Sequence, residues 1–510
     1  QNFTTITPFV KTIHNIHYQI LLSMTIKDLK PQLVWDIFYQ ITQVPRPSKK
    51  EDKIRAFILD FAQKHNLQYK VDDAGNVAIF RPAAPGYENV PAIVMQGHMD
   101  MVCEKIPESK HDFDNDPIET IIDGEWMKAN GTTLGADNGI GLALAMAALI
   151  DPDLKAGPLQ ALCTVDEETG LTGASNMGPD MINGKYLLNL DSEEDGEICM
   201  GCAGGIGTTA NFYYTPTPAP QGLAFFRLGV AKLQGGHSGT DINAGRACAN
   251  KVMARFLWNL GQKLSFTLGS LTGGNLRNAI ARDAEAVIGI NAKDAHTLSI
   301  EFNEYIATVK NEYKHTEPDA DFFIESVEAP ATCIDSDTAK RLISALYVVP
   351  HGVISMSMEL EGLVETSTNL SSVKNPEPGN IEVVTSQRSS VESRKLDAAY
   401  QVESVFALAG AKVEHSKAYQ GWAPNKNSNI LKIAEDLHQE LFGVKANVTA
   451  IHAGLECGLF LANYPWLDMI SFGPTLRGVH SPTEKMHIPA VARCWNLLSA
   501  IIRKVAENEK

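Results

Sequence analysis

The segment AIVMQGHMD, residues 92–100, runs from a short apolar stretch directly into a histidine and an aspartate. Residues 92–95 predict a strand buried on both faces, because the run is short and wholly apolar. Three further apolar runs are followed in the same way by acidic or histidine residues: 159–165 before Glu168, 186–190 before Asp191, and 468–472 before His480. Ligands of open α/β sheets bind at the carboxyl ends of the strands. The pattern therefore predicts an α/β domain with histidines and carboxylates gathered at one edge of its sheet.

The glycine-bounded turn GADNG, residues 135–139, lies between the first two runs and precedes a predicted helix over residues 142–150. Two divalent cations held side by side need nitrogen and oxygen ligands, usually with one carboxylate shared between them. The predicted ligands are His98 and His480 for nitrogen, and Asp137, Glu168 and Asp191 for oxygen. Asp137 is the predicted bridge.

Two further acidic residues lie next to predicted ligands. Asp100, two residues after His98, can accept a hydrogen bond from its ring and fix the tautomer that binds a metal. Glu167 precedes Glu168, and consecutive side chains point in different directions, so Glu167 can accept a proton from the attacking water as a general base. Each motif alone is common in turns and helix starts. Their succession at strand ends favours one shared site.

Five motifs resemble those of the co-catalytic di-zinc peptidase superfamily: GHMD at 97–100, GADNG at 135–139, DEE at 166–168, LDS at 190–192 and VHSP at 479–482. This superfamily includes carboxypeptidase G, the peptidase T-like tripeptidases, aminoacylase and the bacterial aminoacyl-histidine dipeptidases, and the chain is most similar to the last of these. The resemblance covers nearly all of residues 24–510 and departs from the family pattern at no metal position. It implies an α/β catalytic domain whose mixed sheet is flanked by helices, with an inserted α+β lid domain.

The resemblance also implies roles for residues outside the metal motifs. His237, in GGHSG, would donate from the lid to the oxyanion of the reaction, while Asn278, Arg388 and Gly454 would bind the backbone and terminal carboxylate of the substrate. Only Arg388 has an independent physical reason, because a guanidinium matches a carboxylate with two parallel hydrogen bonds. A carboxylate clamp near the metals favours dipeptides. The family implies Xaa-His dipeptides such as β-alanyl-histidine.

The length of 510 residues exceeds what one compact core usually holds, so we expect two domains. The catalytic domain is predicted at residues 24–210 and 421–510, and the lid at 211–420, with linkers at 215–220 and 421–428. A strand, a polar turn and a helix recur in the lid around His237 and Arg388, which suggests an internal duplication. Residues 1–23 are expected to be an extension outside the fold, because Met24 opens a cleaner pattern.

Charge and composition exclude some classes of protein. A formal net charge of −16 argues against nucleic acid as a partner, since phosphate binding normally needs a basic surface. The sequence has no apolar run of about 18 residues, so no membrane span is predicted. Cys199 and Cys202 form the one C-x-x-C, which we expect in a tight glycine-rich loop, with a redox pair as the alternative. Scattered cysteines of this kind favour the cytoplasm.

Two local predictions concern the surroundings of the site. Ser48 and Glu51 predict a capping box that begins a helix burying Ile54 and Phe61. The remaining histidines in polar stretches are expected to be solvated; they include His65, His111, His315 and His438.

Several alternatives stay open on the sequence alone. The same metal centre could serve an N-acyl amino acid deacylase, a carboxypeptidase or a tripeptidase. A non-catalytic metal-binding or partner-binding protein should lack Glu167 or a ligand, and none is missing here. Zinc is the expected metal, with cobalt or manganese as alternatives. The oligomeric state is open, and in a homodimer the lid histidine of one subunit could serve the other.

Overall fold

The computed structural model describes residues 25–510, so the predicted extension at 1–23 lies outside the described residues. The chain divides into two compact units. The first contains the described residues up to Met200 together with Asn425–Thr449 and Leu459–Lys510, and the second contains Gly201–Pro424 and Ala450–Gly458. None of the helices in the described part of the chain is long and apolar enough to cross a membrane.

The main sheet of the first unit has eight strands and is mixed, as predicted. Its four central strands run parallel, so their carboxyl ends meet at one edge. Three of these strands are buried along their whole length, as their largely apolar runs predict. In spatial order the strands are Gln68–Val71, Val77–Arg81, Leu159–Thr164, Ile93–His98, Tyr186–Asn189, Asp468–Ser471, Glu197–Cys202 and Asn447–Ile451.

Helices cover this sheet. Ala136–Ile150 is apolar on all sides and packs against Ile93–His98 on one side and Gln32–Thr42 on the other. Gln32–Thr42 is amphipathic and buries Val34, Phe38 and Ile41. The other helices of the unit are Ile26–Asp28, Asp52–Lys64, Glu167–Gly170, Thr172–Ser175, Asn429–Phe442 and Ile488–Asn508. A smaller sheet consists of Thr120–Asp123, Trp126–Ala129, Lys485–His487 and Leu476–Arg477.

The second unit is an antiparallel nine-stranded sheet with helices, an α+β arrangement as predicted. Its strands in spatial order are Asp321–Val327, Leu223–Ala231, Ala284–Asn291, Thr267–Gly273, Val364–Glu377, Asn380–Ser389, Gly204–Tyr213 and Lys412–His415, and Gly352–Met356 also pairs with Val364–Glu377. Its helices are Ala249–Gly261, Ala292–Asp294, Ala295–Glu312, Ser336–Val348 and Glu392–Leu408. Two short strand pairs complete the unit, Thr217–Pro218 with Thr332–Cys333 and Gly236–His237 with Ala279–Ile280. The short helix Glu456–Phe460 begins in this unit.

The unit boundaries differ from the predicted domain boundaries. The second unit begins at Gly201 and not at residue 211, because Gly204–Tyr213 pairs along its length with Asn380–Ser389. The proline-rich stretch at 215–220 therefore lies within the second unit. Residues 450–458 also belong to this unit, since the Ala203 N–H donates to carbonyl oxygens of that segment.

Three local predictions were wrong. Ser48 makes no capping box, because its hydroxyl donates instead to Asp100 Oδ2 over 2.8 Å. Cys199 and Cys202 lie in the strand Glu197–Cys202 and not in a tight loop. His438 is buried, at 1% exposure, and not solvated. A contact of 2.8 Å between its Nδ1 and the Val444 carbonyl oxygen replaces a hydrogen bond to water.

Candidate active site

The five predicted metal ligands all lie in the first unit and come together at the carboxyl edge of its sheet. His98 is the last residue of the strand Ile93–His98, and Asp191 follows the neighbouring parallel strand. Asp137 lies in the irregular first turn of the helix Ala136–Ile150. Two sets of three side chains bring their ligand atoms within 4.8 Å of one another: His98 with Asp137 and Asp191, and His480 with Asp137 and Glu168.

Asp137 belongs to both sets and presents one oxygen to each. Its Oδ1 lies 2.9 Å from His98 Nε2, and its Oδ2 lies 3.1 Å from His480 Nε2. Asp191 Oδ1 lies 3.5 Å from His98 Nε2, and Glu168 Oε2 lies 2.9 Å from His480 Nε2. A carboxylate that bridges two cations needs this arrangement, with one oxygen beside the ligands of each ion.

Asp100 is fully buried and ties two parts of the site together. Its Oδ1 lies 3.3 Å from His98 Nδ1, and its carbonyl oxygen lies 3.1 Å from the same nitrogen. A proton on Nδ1 satisfies these acceptors, so Nε2, which faces Asp137, is the nitrogen that would release its proton to bind a cation. The carboxylate of Asp100 also accepts the N–H groups of Glu167 and Glu168, over 3.0 and 3.3 Å.

Glu167 and Glu168 open a four-residue helix, Glu167–Gly170, directly after a left-handed residue, Asp166. The side chain of Glu168 is 4% exposed. The carboxylate of Glu167 comes within 4.8 Å of ligand atoms of His98 and Glu168. Adjacent residues thus place two carboxylates beside one cluster, Glu168 within a set that shares Asp137 and Glu167 outside both such sets.

The carboxylates of this cluster stabilise positive charge beside them. Burial alone would lower the pKa of His98, but the carboxylates of Asp191, Asp100 and Asp137 hold it well above its ordinary value. Hydrogen bonds to Asp137 and Glu168 raise the pKa of His480 to about 11. Burial would raise the pKa of Asp137, but hydrogen bonds from both histidines hold it well below its ordinary value.

These residues fit a pair of divalent cations. The set combines imidazole nitrogens with carboxylate oxygens, and its carboxylates outnumber its imidazoles. Glu168 Oε1 is buried without a hydrogen-bond partner in the described chain, and a cation would satisfy it. His98, Asp191 and Asp137 could hold one ion, while His480, Glu168 and Asp137 could hold the other.

The loop of Asp137 is held tightly against its neighbours. Asn138 donates from Nδ2 to the Leu190 carbonyl oxygen over 2.8 Å, which joins this loop to the segment of Asp191. Gly97 permits that packing, because a Cβ there would lie 2.2 Å from Asn138 Oδ1. The glycine before His98 therefore has a packing reason within the site.

A second cluster, which we call the Arg388 cluster, lies in the second unit and contains Arg388, His237, Ser238 and Tyr419. Arg388 is 8% exposed, and its guanidinium lies 2.9 Å from Tyr419 OH, 3.3 Å from Ser238 Oγ and 3.4 Å from His237 Nε2. Within the part of the chain that the structure describes, no carboxylate forms an ion pair with it. A buried guanidinium with only neutral neighbours is well suited to receive an anion.

The ring of His237 is held in one tautomer. Its Nδ1 accepts hydrogen bonds from the N–H groups of Gly239 and Thr240 over 3.3 and 3.2 Å. Because backbone N–H groups only donate, Nδ1 carries the lone pair and Nε2 carries the proton of the neutral ring, so the 3.4 Å approach of the Arg388 guanidinium to Nε2 is a contact and not a hydrogen bond. Burial, assisted by the charge of Arg388, lowers the pKa of His237. The ring is thus a neutral donor at Nε2 near pH 7.

The other two predicted substrate residues lie beside this cluster. The Asn278 carbonyl oxygen accepts the Ser238 N–H over 2.8 Å, and the Asn278 residue is exposed. A Cβ on Gly454 would lie 3.1 Å from the ring of Tyr419. The structure thus brings Asn278, Gly454, His237 and Arg388 together within one unit.

Sequence reasoning missed several residues in and beside the Arg388 cluster. Tyr419 and Ser238 contact Arg388, and the buried His452 lies 2.7 Å from Ser367 Oγ on the strand beside Arg388. Ser238 had a signal, since it follows His237 directly. Tyr419 lies in no motif and is distant in sequence from its partner.

Residues 94–504 match the model of the peptidase family M20/M25/M40. The chain belongs to this family and is a peptide hydrolase. It is 41% identical over 480 residues to the cytosol non-specific dipeptidase of Escherichia coli K12, which covers 94% of this chain and 99% of that relative.

Solved structures agree with this family membership. The crystal structure of aminoacylhistidine dipeptidase from Vibrio alginolyticus is 42% identical and superposes with a TM-score of 0.88, covering 95% of this chain and 98% of that one. Aminopeptidase PepT from Bacillus cereus shares the fold at 16% identity and a TM-score of 0.56, covering 94% and 99%. The predicted family resemblance and fold class are confirmed.

Proposed function

We propose that this protein is a two-metal dipeptidase that hydrolyses short peptides with a free carboxyl terminus, Xaa-His dipeptides among them. The observation that carries the proposal is the carboxylate of Asp137, with one oxygen facing each of the two histidines. The relatives described above support the substrate class, because they are named for dipeptide and aminoacyl-histidine cleavage. The name of the Escherichia coli relative also supports a cytoplasmic location.

Five residues are proposed to hold the metals, as two sets sharing Asp137. Zinc is the proposed ion, because imidazole and carboxylate ligands suit it, and cobalt or manganese would suit the same set. When bound, such ions would polarise the scissile carbonyl and lower the pKa of a water molecule, so that it loses a proton readily and becomes a nucleophile near neutral pH. Asp100 supports the ligand set by keeping the proton of His98 on Nδ1.

Glu167 is proposed to move the proton. Its carboxylate lies within 4.8 Å of ligand atoms of His98 and Glu168 but is in neither of the two sets that contain Asp137, so it is proposed to accept a proton from the attacking water. The same carboxyl group can then donate that proton to the leaving amine. Asp100 holds the backbone of Glu167 in place through the 3.0 Å hydrogen bond to its N–H.

The Arg388 cluster is proposed to bind the terminal carboxylate of the peptide. The buried guanidinium lacks an acidic partner among the described residues, so a substrate carboxylate would compensate its charge. The neutral Nε2–H of His237 is proposed to donate to the oxygen that gains charge as water attacks. A clamp for the terminal carboxylate would select peptides by length, which favours dipeptides.

A hydrolysis panel tests the function. Metal-depleted protein should be inactive, and adding zinc should restore cleavage of dipeptides, including β-alanyl-histidine. Tripeptides and N-acetyl amino acids should be poorer substrates. Efficient cleavage of N-acyl amino acids with dipeptides left intact would overturn the proposal in favour of a deacylase.

Arg388→Ala should remove the preference for a free carboxyl terminus. The wild-type enzyme should hydrolyse a dipeptide much faster than its C-terminal amide, because only the free acid pairs with the guanidinium. The variant should hydrolyse the dipeptide and its amide at similar rates, because kcat/KM should fall mainly for the free acid. Arg227→Ala is the matched control, since Arg227 is 41% exposed and pairs with Glu285 and Glu325 on the surface. A preserved preference in the Arg388 variant would remove this residue from the substrate site.

His237→Ala should lower kcat by about 10²–10³-fold, the usual cost of losing one donor to a developing oxyanion. Its metal content and melting temperature should stay close to those of the wild type, because His237 belongs to the second unit and all five proposed metal ligands belong to the first. His315→Ala, at an exposed position of the same unit, is the control. Near-normal kcat would leave His237 as a turn residue only.

A further inference from the structure

Glu484 is a buried carboxylate that no part of the proposed mechanism uses. It is 2% exposed and follows His480 by four residues. Its Oε2 accepts the N–H groups of Leu134 and Gly135 over 2.7 and 3.0 Å, and its Oε1 accepts that of Ala136 over 2.8 Å. The Asp137 N–H lies 3.4 Å from Oε1. The carboxylate of Glu484 therefore accepts hydrogen bonds from consecutive backbone N–H groups of the loop that ends at Asp137.

These N–H groups need an outside acceptor. Those of Ala136 and Asp137 lie in the first turn of the helix Ala136–Ile150, where N–H groups have no partner within the helix, and those of Leu134 and Gly135 lie just before it. Gly135, at the N-cap, offers no side chain to accept them and has a φ of +66°, in the left-handed region. A carboxylate is also the favoured charge at this end of a helix. Glu484 thus caps the helix from a segment more than 300 residues away in the chain.

Arg46 contacts the same loop through one of its carbonyl oxygens. It is 2% exposed, and its guanidinium donates to the carbonyl oxygens of Met99 and Asp100 over 3.0 and 2.7 Å, and also to that of Gly135. A Cβ at Gly135 would lie 2.6 Å from this guanidinium, so glycine is needed for its approach. Arg46 therefore ties the Asp137 loop to the segment that follows His98.

We infer that Glu484 is a positioning residue for the bridging carboxylate, and that Arg46 assists it. Glu484 joins the segment of His480 to the loop of Asp137, and Arg46 joins that loop to the segment of His98. Together they fix the two histidines relative to the carboxylate between them. The inference rests on the proposed two-metal function, and it adds that the affinity of both sites depends on residues that contact neither ion.

Glu484→Gln tests the inference, because glutamine keeps the size but turns an amide NH₂ toward N–H donors. The probe is Zn²⁺ titrated against a competing chelator, with the number of bound ions measured by elemental analysis. Both apparent dissociation constants should rise together, by about 10–100-fold, as for other residues that support metal ligands. The melting temperature should be measured with and without Zn²⁺, and the metal-dependent increase should shrink.

Glu317→Gln is the matched control. Glu317 is also a buried carboxylate, 4% exposed, and accepts the N–H groups of Gln234 and Ala247 over 2.7 and 2.9 Å in the second unit. It should lower the melting temperature of the metal-free protein without changing zinc affinity. If Glu484→Gln does not fold, Glu484→Asp and Arg46→Lys take its place with the same readout.

The possible outcomes are distinct. Wild-type zinc affinity in a folded Glu484 variant, or a weakening confined to one site, would overturn the positioning role. Equal loss of zinc affinity in the Glu317 control would assign the effect to general stability and would also overturn it. A wild-type protein that binds fewer than two zinc ions would refute the proposed two-metal function itself.

Discussion

Glu167→Gln is expected to lose most of the turnover while both metal ions stay bound. Glutamine keeps the shape of the side chain but cannot accept the proton of the attacking water. Proton transfer by a positioned side chain contributes about 10²–10⁴-fold, so kcat should fall by at least that factor. Metal content should be unchanged, because Asp137, Glu168 and His480 form one set of three without Glu167. KM should change little if the substrate carboxylate is held elsewhere.

Two further variants distinguish a general base from a metal ligand and from a surface carboxylate. Glu168→Gln should lose metal as well as activity, because its Oε2 lies 2.9 Å from His480 Nε2 within the ligand set. Glu194→Gln, at a surface residue paired with Arg477, should change neither. Loss of an ion from the Glu167 variant, with both ions retained in the Glu168 variant, would show that the two neighbouring glutamates have the opposite roles.

The location of the metal cluster could be predicted from sequence because it follows from strand direction. His98 and Asp191 end or follow adjacent parallel strands, and such ends share one edge of a sheet. Short apolar runs reveal buried parallel strands without any knowledge of their partners. The histidines and carboxylates that follow those runs then indicate a metal site, and predicting it needed no knowledge of tertiary contacts beyond the shared edge of the sheet.

The residues that support the clusters could not be predicted, because their partners are distant in sequence. Glu484 caps a helix that begins at Ala136, and Tyr419 meets Arg388 through the packing of the second unit. A local motif also misleads when a distant partner binds more strongly. Ser48 resembles a capping residue, but the buried carboxylate of Asp100 accepts its hydroxyl.

The domain boundary shows the same limitation. A proline-rich stretch at 215–220 has the composition of a linker, yet Thr217–Pro218 pairs with Thr332–Cys333 inside the second unit. The strand Gly204–Tyr213 belongs with that unit because Asn380–Ser389 pairs with all of it. Composition describes the local stiffness of the chain, whereas strand pairing between distant segments decides the boundary.

Asp137→Ala is expected to empty both metal sites at once. The two oxygens of Asp137 face different histidines, so its removal takes one ligand from each set. The loop should keep its place, since Glu484 and Arg46 hold its backbone and not its side chain. Activity should therefore disappear in a protein whose metal-free form melts close to the wild-type temperature.

Single-site variants provide the comparison that identifies a bridge. His98→Ala and His480→Ala should each lower the occupancy of mainly one site, because each imidazole belongs to one set that contains Asp137. Zinc titration with elemental analysis should then give about one ion for each histidine variant and fewer for Asp137→Ala. Asp137→Asn retains a single carbonyl oxygen and should fall between these results. Two ions bound at wild-type affinity in Asp137→Ala would show that no carboxylate at this position bridges the metals.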